Sequence, residues 1–246
     1  MLPKSEVKYI QSLSQKKFRD EEGVFVIEGI KMADEILSSY SHLVRAVYAT
    51  EKWIVKNQGK LTNSISVHEL QTFELQKITG LSVANEVLVV LNKPTSIKFV
   101  PDENPVVVAL DQIQDPGNLG TIIRTCDWFG VNQIICSPDS VDAYNPKVVQ
   151  SAMGSLLRVT IEYKQIEQFI NDHSMYTPCV AVLDGETYHD FLFPEKTLLI
   201  IGNESRGVSV SLRKIATKAI TIPRRGEAES LNAAVAAAIL LSKIRG

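Results

Sequence analysis

One rhythm in the second half of this chain constrains the fold more than any other feature. After residue 105, continuous apolar runs alternate with amphipathic segments: "VVVALD", "NLGTIIRTCDWFG", "QIIC", "CVAVLD", "LLIIGNE", "AITIP" and a closing alanine-rich stretch, "LNAAVAAAILL". Strands that are apolar on every residue are buried on both faces, which predicts an α/β fold whose parallel sheet is covered by helices on each side. Such sheets place ligands beyond the carboxyl ends of their strands. Polar, glycine-containing stretches follow three of those ends: "DQIQDPGNLG", "GNESRG" and "PRRGEAESLN".

The first hundred residues have a different texture. "VFVIEG", "LVRAVYAT" and "VLVVLNKP" read as strands, and "IKMADEILSSY" carries a helical apolar stripe at Ile30, Ala33, Ile36 and Leu37. "SVHELQTF" reads as a helix start. This is a small mixed α/β module over residues 1–97. "KFVPDENP", with prolines at 101 and 105, reads as a linker over 98–105, and the parallel-sheet domain then occupies 106–246.

Composition excludes several classes. A net charge of −2 and a pI near 6.1 provide no global basic field, so nucleic-acid binding would need local patches. Cys126, Cys136 and Cys179 are odd in number and form no CxxC, which argues against a disulfide framework and fits a reducing, cytoplasmic setting. The opening "MLPKSEVKYIQSLSQKKFRDEE" has no apolar signal core, and no apolar run approaches membrane-spanning length. There is no GxGxxG, P-loop or GxSxG, and His42, His68, His173 and His189 lack metal-ligand spacing, so no metal is expected.

Each polar cluster has an ordinary structural account when taken alone. Leu119, Ile122, Ile123 and Cys126 mark the core face of a helix, with Asn118 read as its N-cap and Gly130 as its stop, leaving Arg124 on the opposite, solvated face. "GNESRG" is a turn with Glu204 and Arg206 as a surface pair. Ser230 reads as the N-cap of the alanine helix, and Arg224 and Arg225 as solvated charges. What those accounts leave unexplained is why all three clusters fall on one edge of one sheet. "GNLG" also resembles the GxxG loop of KH domains, without the basic residues that such a loop carries.

The three clusters together are similar to the three sequence motifs of the SpoU (TrmH) family of RNA ribose 2′-O-methyltransferases. Asn118, Gly120 and Arg124 match the first, "IIGNESRG" the second and "IPRRGEAESLNAAVAAAI" the third, in the family's order across residues 106–246. The N-terminal module resembles the family's auxiliary substrate-binding domain.

The resemblance implies a SPOUT-type catalytic domain with a deep trefoil knot, S-adenosylmethionine as cofactor, a homodimer with active sites near the subunit interface, and no metal or membrane. By similarity, Asn118, Arg124, Glu204, Ser230 and Asn232 would form the catalytic set. Gly202, Ile222 and Leu231, with Leu183 and Gly185, would hold the cofactor. Arg224, Arg225, Lys16, Lys17 and Arg19 are the candidate phosphate contacts. The implied substrate is structured RNA, ribosomal ahead of transfer RNA. A non-catalytic RNA-binding or ribosome-assembly factor of the same fold, and an α/β enzyme acting on a small molecule, are the competing readings.

Overall fold

The computed structural model describes residues 2–95 and 99–246, so Lys98 of the expected linker lies outside the described residues. The chain divides into two compact units, one of residues 1–95 with 144–154 and one of 96–143 with 155–246.

The first unit carries helices α1 (Lys4–Ser12), α2 (Lys16–Glu22), α3 (Ile30–Ser39), α4 (Glu51–Asn57) and α5 (Thr72–Ile78) around four strands, β1 (Val24–Glu28), β2 (Val44–Ala49), β3 (Ser66–Glu69) and β4 (Val87–Asn92). The sheet order is β1-β4-β2-β3; β4 runs antiparallel to both β1 and β2, while β3 is parallel to β2. Ile30, Ala33, Ile36 and Leu37 do lie on one helix, with Ala33, Ile36 and Leu37 buried. The sequence expectation fails at Ser66–Glu69, which is a strand and not a helix start. It pairs with β2, and the His68 ring stacks on Tyr48 at 4.6 Å between centroids. The helix begins only at Thr72, where Gln71 and Glu74 form a reciprocal capping box.

The second unit has a six-stranded sheet of order β10-β8-β9-β5-β6-β7, every pair parallel. Its strands are β5 (Val106–Asp111), β6 (Gln133–Cys136), β7 (Thr160–Tyr163), β8 (Thr177–Thr187), β9 (Thr197–Gly202) and β10 (Lys218–Thr221). β5 is buried at all six residues, the five from Val106 to Leu110 as their continuous apolar run requires. Helix α6 (Pro116–Trp128) follows β5 and buries Leu119, Ile122, Ile123 and Cys126 completely. Gly130 then takes φ +66°, the left-handed conformation that ends a helix at least cost.

Two caps differ from expectation. The N-cap of α6 is Asp115, whose Oδ1 accepts from the Asn118 amide at 2.8 Å, with Pro116 at the first helical position. The last helix, α10 (Ala233–Arg245), is capped by Asn232 and not by Ser230: Asn232 Oδ1 accepts from the backbone N–H of Ala234 and Val235. In both places the residue expected as cap is released for other contacts.

Two further departures come from tertiary packing. Residues 144–154, carrying α7 (Pro146–Ala152), belong to the first compact unit although they fall inside the span read as the second domain. Val148, Val149 and Ala152 bury the apolar side of this short helix. Phe99, inside the expected linker, packs on the core of the second unit against Phe169, His173 and Tyr176. Helices α8 (Ile166–Asp172) and α9 (Val210–Ile215) complete that unit. All three thiols are buried and unpaired, and desolvation pushes Cys136 up to about 12 and Cys179 up to about 11.

Candidate active site

The carboxyl ends of β8, β9 and β10 open on a cavity of about 1000 Å³. Its shape begins with an irregularity in β8. Cys179 and Val180 pair with Lys218 and Ala219, but the next registered pair is Glu186 with Ile220, so residues 181–185 have no registered partner on β10. Ala181 to Asp184 line the cavity in that interval, and Leu183 is 70% exposed there.

β9 supplies the second wall. Gly202 is followed by a tight loop in which Asn203 and Gly207 form an isolated bridge, and Gly207 takes φ +68°. A β-carbon built on Gly202 would lie 2.3 Å from Gly207 C and Val208 N, so only glycine fits. Asn203 orders the loop from both ends of its side chain: Oδ1 accepts from the Ser205 and Arg206 amides, and Nδ2 donates to Gln112 O at 3.0 Å. Gln112, just beyond β5, holds φ +57°, a strained conformation for this residue type. Buried Asp111 accepts from Ser209 N at 2.7 Å and ties β5 to the far side of the same loop.

The segment from β10 to α10 closes the third side with Ile222, Arg224, Arg225, Ser230 and Leu231. Here three distant stretches of chain meet. Asn118 Nδ2 donates to Glu204 Oε1, while Asn118 Oδ1 accepts from Asn232 Nδ2 at 2.8 Å. Asn232 in turn caps α10. The donor direction runs unbroken from the N–H groups of α10 through Asn232 and Asn118 to the Glu204 carboxylate, so both amide orientations are fixed by their partners. Ser230 Oγ lies 3.5 Å from Glu204 O, at the limit of a hydrogen bond.

Most residues singled out in the sequence are brought together here. Gly202, Ile222, Leu231, Leu183, Glu204, Ser230, Arg224 and Arg225 all line the cavity, and Asn118 and Asn232 join it through Glu204. Gly185 does not line it; a β-carbon there would come within 2.5 Å of Ile220 N, so its smallness lets β10 approach β8. Arg124 is exposed on α6 and is not among the lining residues. Lys16 and Lys17 are exposed in the first unit, paired along their helix with Asp20 and Glu21. Arg19 is a correction: it is 2% exposed and donates to the carbonyls of Leu13 (2.9 Å) and Ser14 (2.8 Å), so it closes the α1–α2 turn and cannot contact a phosphate. The surface pair expected of Glu204 and Arg206 is replaced by the Asn118 bond.

The sequence reading named Asn203 as part of the second motif without a site role and missed Gln112 and Asp111; these three hold the loops from behind.

The residues present suit an adenosyl sulfonium. Leu183, Ile222, Leu231 and Ala233 give apolar walls and the cavity has the volume of a small-molecule site. Asp184 is engaged by Arg213, so Glu204 and Glu229 are the carboxylates that face the cation, alongside Arg206, Arg224 and Arg225.

Comparison with known proteins agrees with this geometry. Residues 105–242 match the SpoU rRNA methylase family, and residues 4–88 match the MRM3-like substrate-binding domain. The chain is 30% identical over 243 residues to the 23S rRNA (guanosine(2553)-2′-O)-methyltransferase RlmP of Bacillus subtilis, covering 98% of this chain and 96% of the relative. A TrmH-family RNA methyltransferase structure from Porphyromonas gingivalis superposes with a TM-score of 0.88 at 31% identity, covering 100% of this chain and 98% of that one. An AdoMet-bound rRNA methyltransferase from Sinorhizobium meliloti gives 0.84 at 29% identity, with 100% and 95% coverage. With the family model spanning more than half of its length and the three motifs gathered around one cavity, the chain belongs to the SpoU rRNA methylase family.

Proposed function

We propose that this protein transfers a methyl group from S-adenosylmethionine to a ribose 2′-OH in structured RNA, with ribosomal RNA as the substrate. The hydrogen-bonded chain Glu204–Asn118–Asn232 at the edge of the cavity carries this reading, because it unites all three motifs in one polar site. The names of the relatives support ribosomal over transfer RNA.

When bound, S-adenosylmethionine supplies an electrophilic methyl group on a sulfonium. The rest falls to the protein, and much of it is positioning. Gly202, Ile222, Leu231 and Leu183 would hold the cofactor through backbone and apolar contact. Asn118 fixes the carboxylate of Glu204, and Ser230 and Asn232 hold the entry to α10. Arg124 stabilises the developing alkoxide and grips a neighbouring phosphate, a role that suits a guanidinium better than proton abstraction. The hydroxyl proton passes to Glu204 or to a substrate phosphate.

The same proposal includes a homodimer, a trefoil knot in the C-terminal segment, and a cytoplasmic location. Trp128 on α6 is 84% exposed and Val235 on α10 is 46% exposed, and these two helices pack on each other. Large apolar groups left bare on neighbouring helices favour a protein partner, and Arg124 shares α6 with Trp128. Buried, unpaired thiols suit a reducing compartment. Among the described residues, no helix is long and apolar enough to cross a membrane.

Methyl incorporation from labelled S-adenosylmethionine into ribosomal RNA, with the product resistant to alkaline cleavage at one phosphodiester, is the expected result. Binding of that RNA without any methyl transfer would favour the assembly-factor reading instead. Arg224 and Arg225 are the phosphate contacts nearest the cavity. The double alanine variant is expected to weaken RNA binding and lower the slope of log K against log salt by about 2, since each contact releases about one counterion. An unchanged slope would remove both from the interface.

A further inference from the structure

A second cavity, of about 290 Å³, lies entirely within the first unit. We infer that it captures one unstacked guanine base of the RNA substrate, an inference that rests on the RNA reading above. Its floor is apolar and fully packed: Ile10, Leu13, Ile78 and Val149 are each no more than 4% exposed. Its rim is polar, with exposed Gln11, Lys147 and Gln150. An apolar slot with a cationic, amide-bearing rim matches a base carried on a phosphodiester, whose faces seek apolar contact while its backbone seeks positive charge. The volume is at the lower edge of ligand sites, enough for a single base and too small for a helix.

The identity of the base follows from Glu28, among the described residues the one acidic side chain that lines this cavity. Its Oε2 accepts from Thr79 Oγ1 and its Oε1 from Gly80 N at 2.8 Å. Those bonds lock the carboxylate's orientation and use one acceptor position on each oxygen, leaving capacity on both. A carboxylate with both oxygens available is matched by two adjacent N–H donors. Guanine offers that pair on its Watson–Crick edge, N1–H beside the 2-amino group. Adenine, cytosine and uracil each offer a single donor group there, flanked by an acceptor. Val149, Lys147 and Gln150 belong to 144–154, so the wall is completed by residues outside the matched substrate-binding domain.

The test uses the full chain saturated with S-adenosylhomocysteine, so that the larger cavity is filled, and fluorescence anisotropy with uridine hexamers. A hexamer carrying one central guanosine is expected to bind about tenfold or more tighter than the all-uridine hexamer, the discrimination typical of one bidentate contact. Inosine in place of guanosine, which deletes the 2-amino group, is expected to lose most of that gain. Glu28→Gln should abolish the preference, and Leu81→Trp, which fills the cavity from its edge, should abolish it as well. Unaltered near-ultraviolet circular dichroism, to which the buried Trp53 of the first unit contributes, shows that each variant is folded. Equal binding of the guanosine, inosine and uridine hexamers overturns the inference, as does a preference that survives Leu81→Trp. Free guanosine monophosphate binding as tightly as the hexamer would make this a site for a soluble nucleotide and overturn the RNA assignment. Methyl transfer to ribosomal RNA by a chain that shows no guanine preference removes this inference alone; loss of methyl transfer in the wild-type chain removes the reading beneath it.

Discussion

Gly202→Ala is expected to bind S-adenosylmethionine about a hundredfold more weakly than the wild-type chain and to lose methylation with it. The added carbon would sit 2.3 Å from the backbone of Gly207 and Val208 and 2.4 Å from the Gly207 carbonyl oxygen. None of these atoms ends a flexible side chain, so the clash can be relieved only by moving the 203–207 loop. That loop presents Glu204 to Asn118, and its Asn203 holds the strained Gln112. Forcing one extra carbon into packed structure costs ~3 kcal/mol at the upper end, equivalent to about a hundredfold in affinity. Isothermal titration with the cofactor checks this, and a variant that binds normally would show that the loop is not part of the cofactor wall. The fold itself should survive, because the clash falls at the last residue of β9 and not in the fully buried run from Leu198 to Ile200.

The second large effect separates binding from chemistry. Arg124→Ala is expected to keep cofactor affinity within about twofold, since Arg124 is not among the residues lining the cavity, while single-turnover methylation at saturating RNA falls by about 10²–10³-fold. Lysine at this position should restore little, because a compact ammonium cannot reproduce the bidentate geometry of a guanidinium on phosphate and alkoxide. Turnover within a few-fold of the wild-type rate would take Arg124 out of the mechanism. With α6 packed through Leu119, Ile122, Ile123 and Cys126, the exposed Arg124 can be truncated without opening a void.

The parts of this structure that were legible in the sequence are those where a residue's own chemistry decides. Val106 to Leu110 and Leu198 to Ile201 are apolar without interruption and became buried parallel strands; the stripe on α6 became its core face. The caps were legible in type but misplaced. "DPGN" contained the Asp-Pro signature of a helix start, yet Asn118 drew the assignment three residues downstream, and Ser230 did so two residues upstream of Asn232. In both cases several capping-type residues stand in a row, and local preference cannot choose among them.

What was not legible was set by contacts between distant residues. Ser66–Glu69 is a strand because β2 lies beside it, not because of its own composition. Arg19 looks like its exposed neighbours Lys16 and Lys17, and only the fold of the α1–α2 turn puts two carbonyls against its guanidinium. Gly185 carries no mark that distinguishes a close strand approach from a ligand contact. Nothing in "YNPKVVQSAMG" announces that it packs with the first unit. The candidate site was legible as three clusters, while the bond that joins them spans 86 residues in one direction and 114 in the other.

That span has a kinetic meaning. Asn118 gains its partners only after chain segments far downstream have been placed, and contacts of such high sequence separation form slowly because each closes a large loop against entropy. The first unit, and most of the parallel sheet, can therefore consolidate while the reactive centre is still an open set of unconnected groups. Refolding experiments should recover near-native secondary structure well before enzymatic competence returns, and a fragment stopping at residue 231 should keep its strands yet never assemble the polar relay.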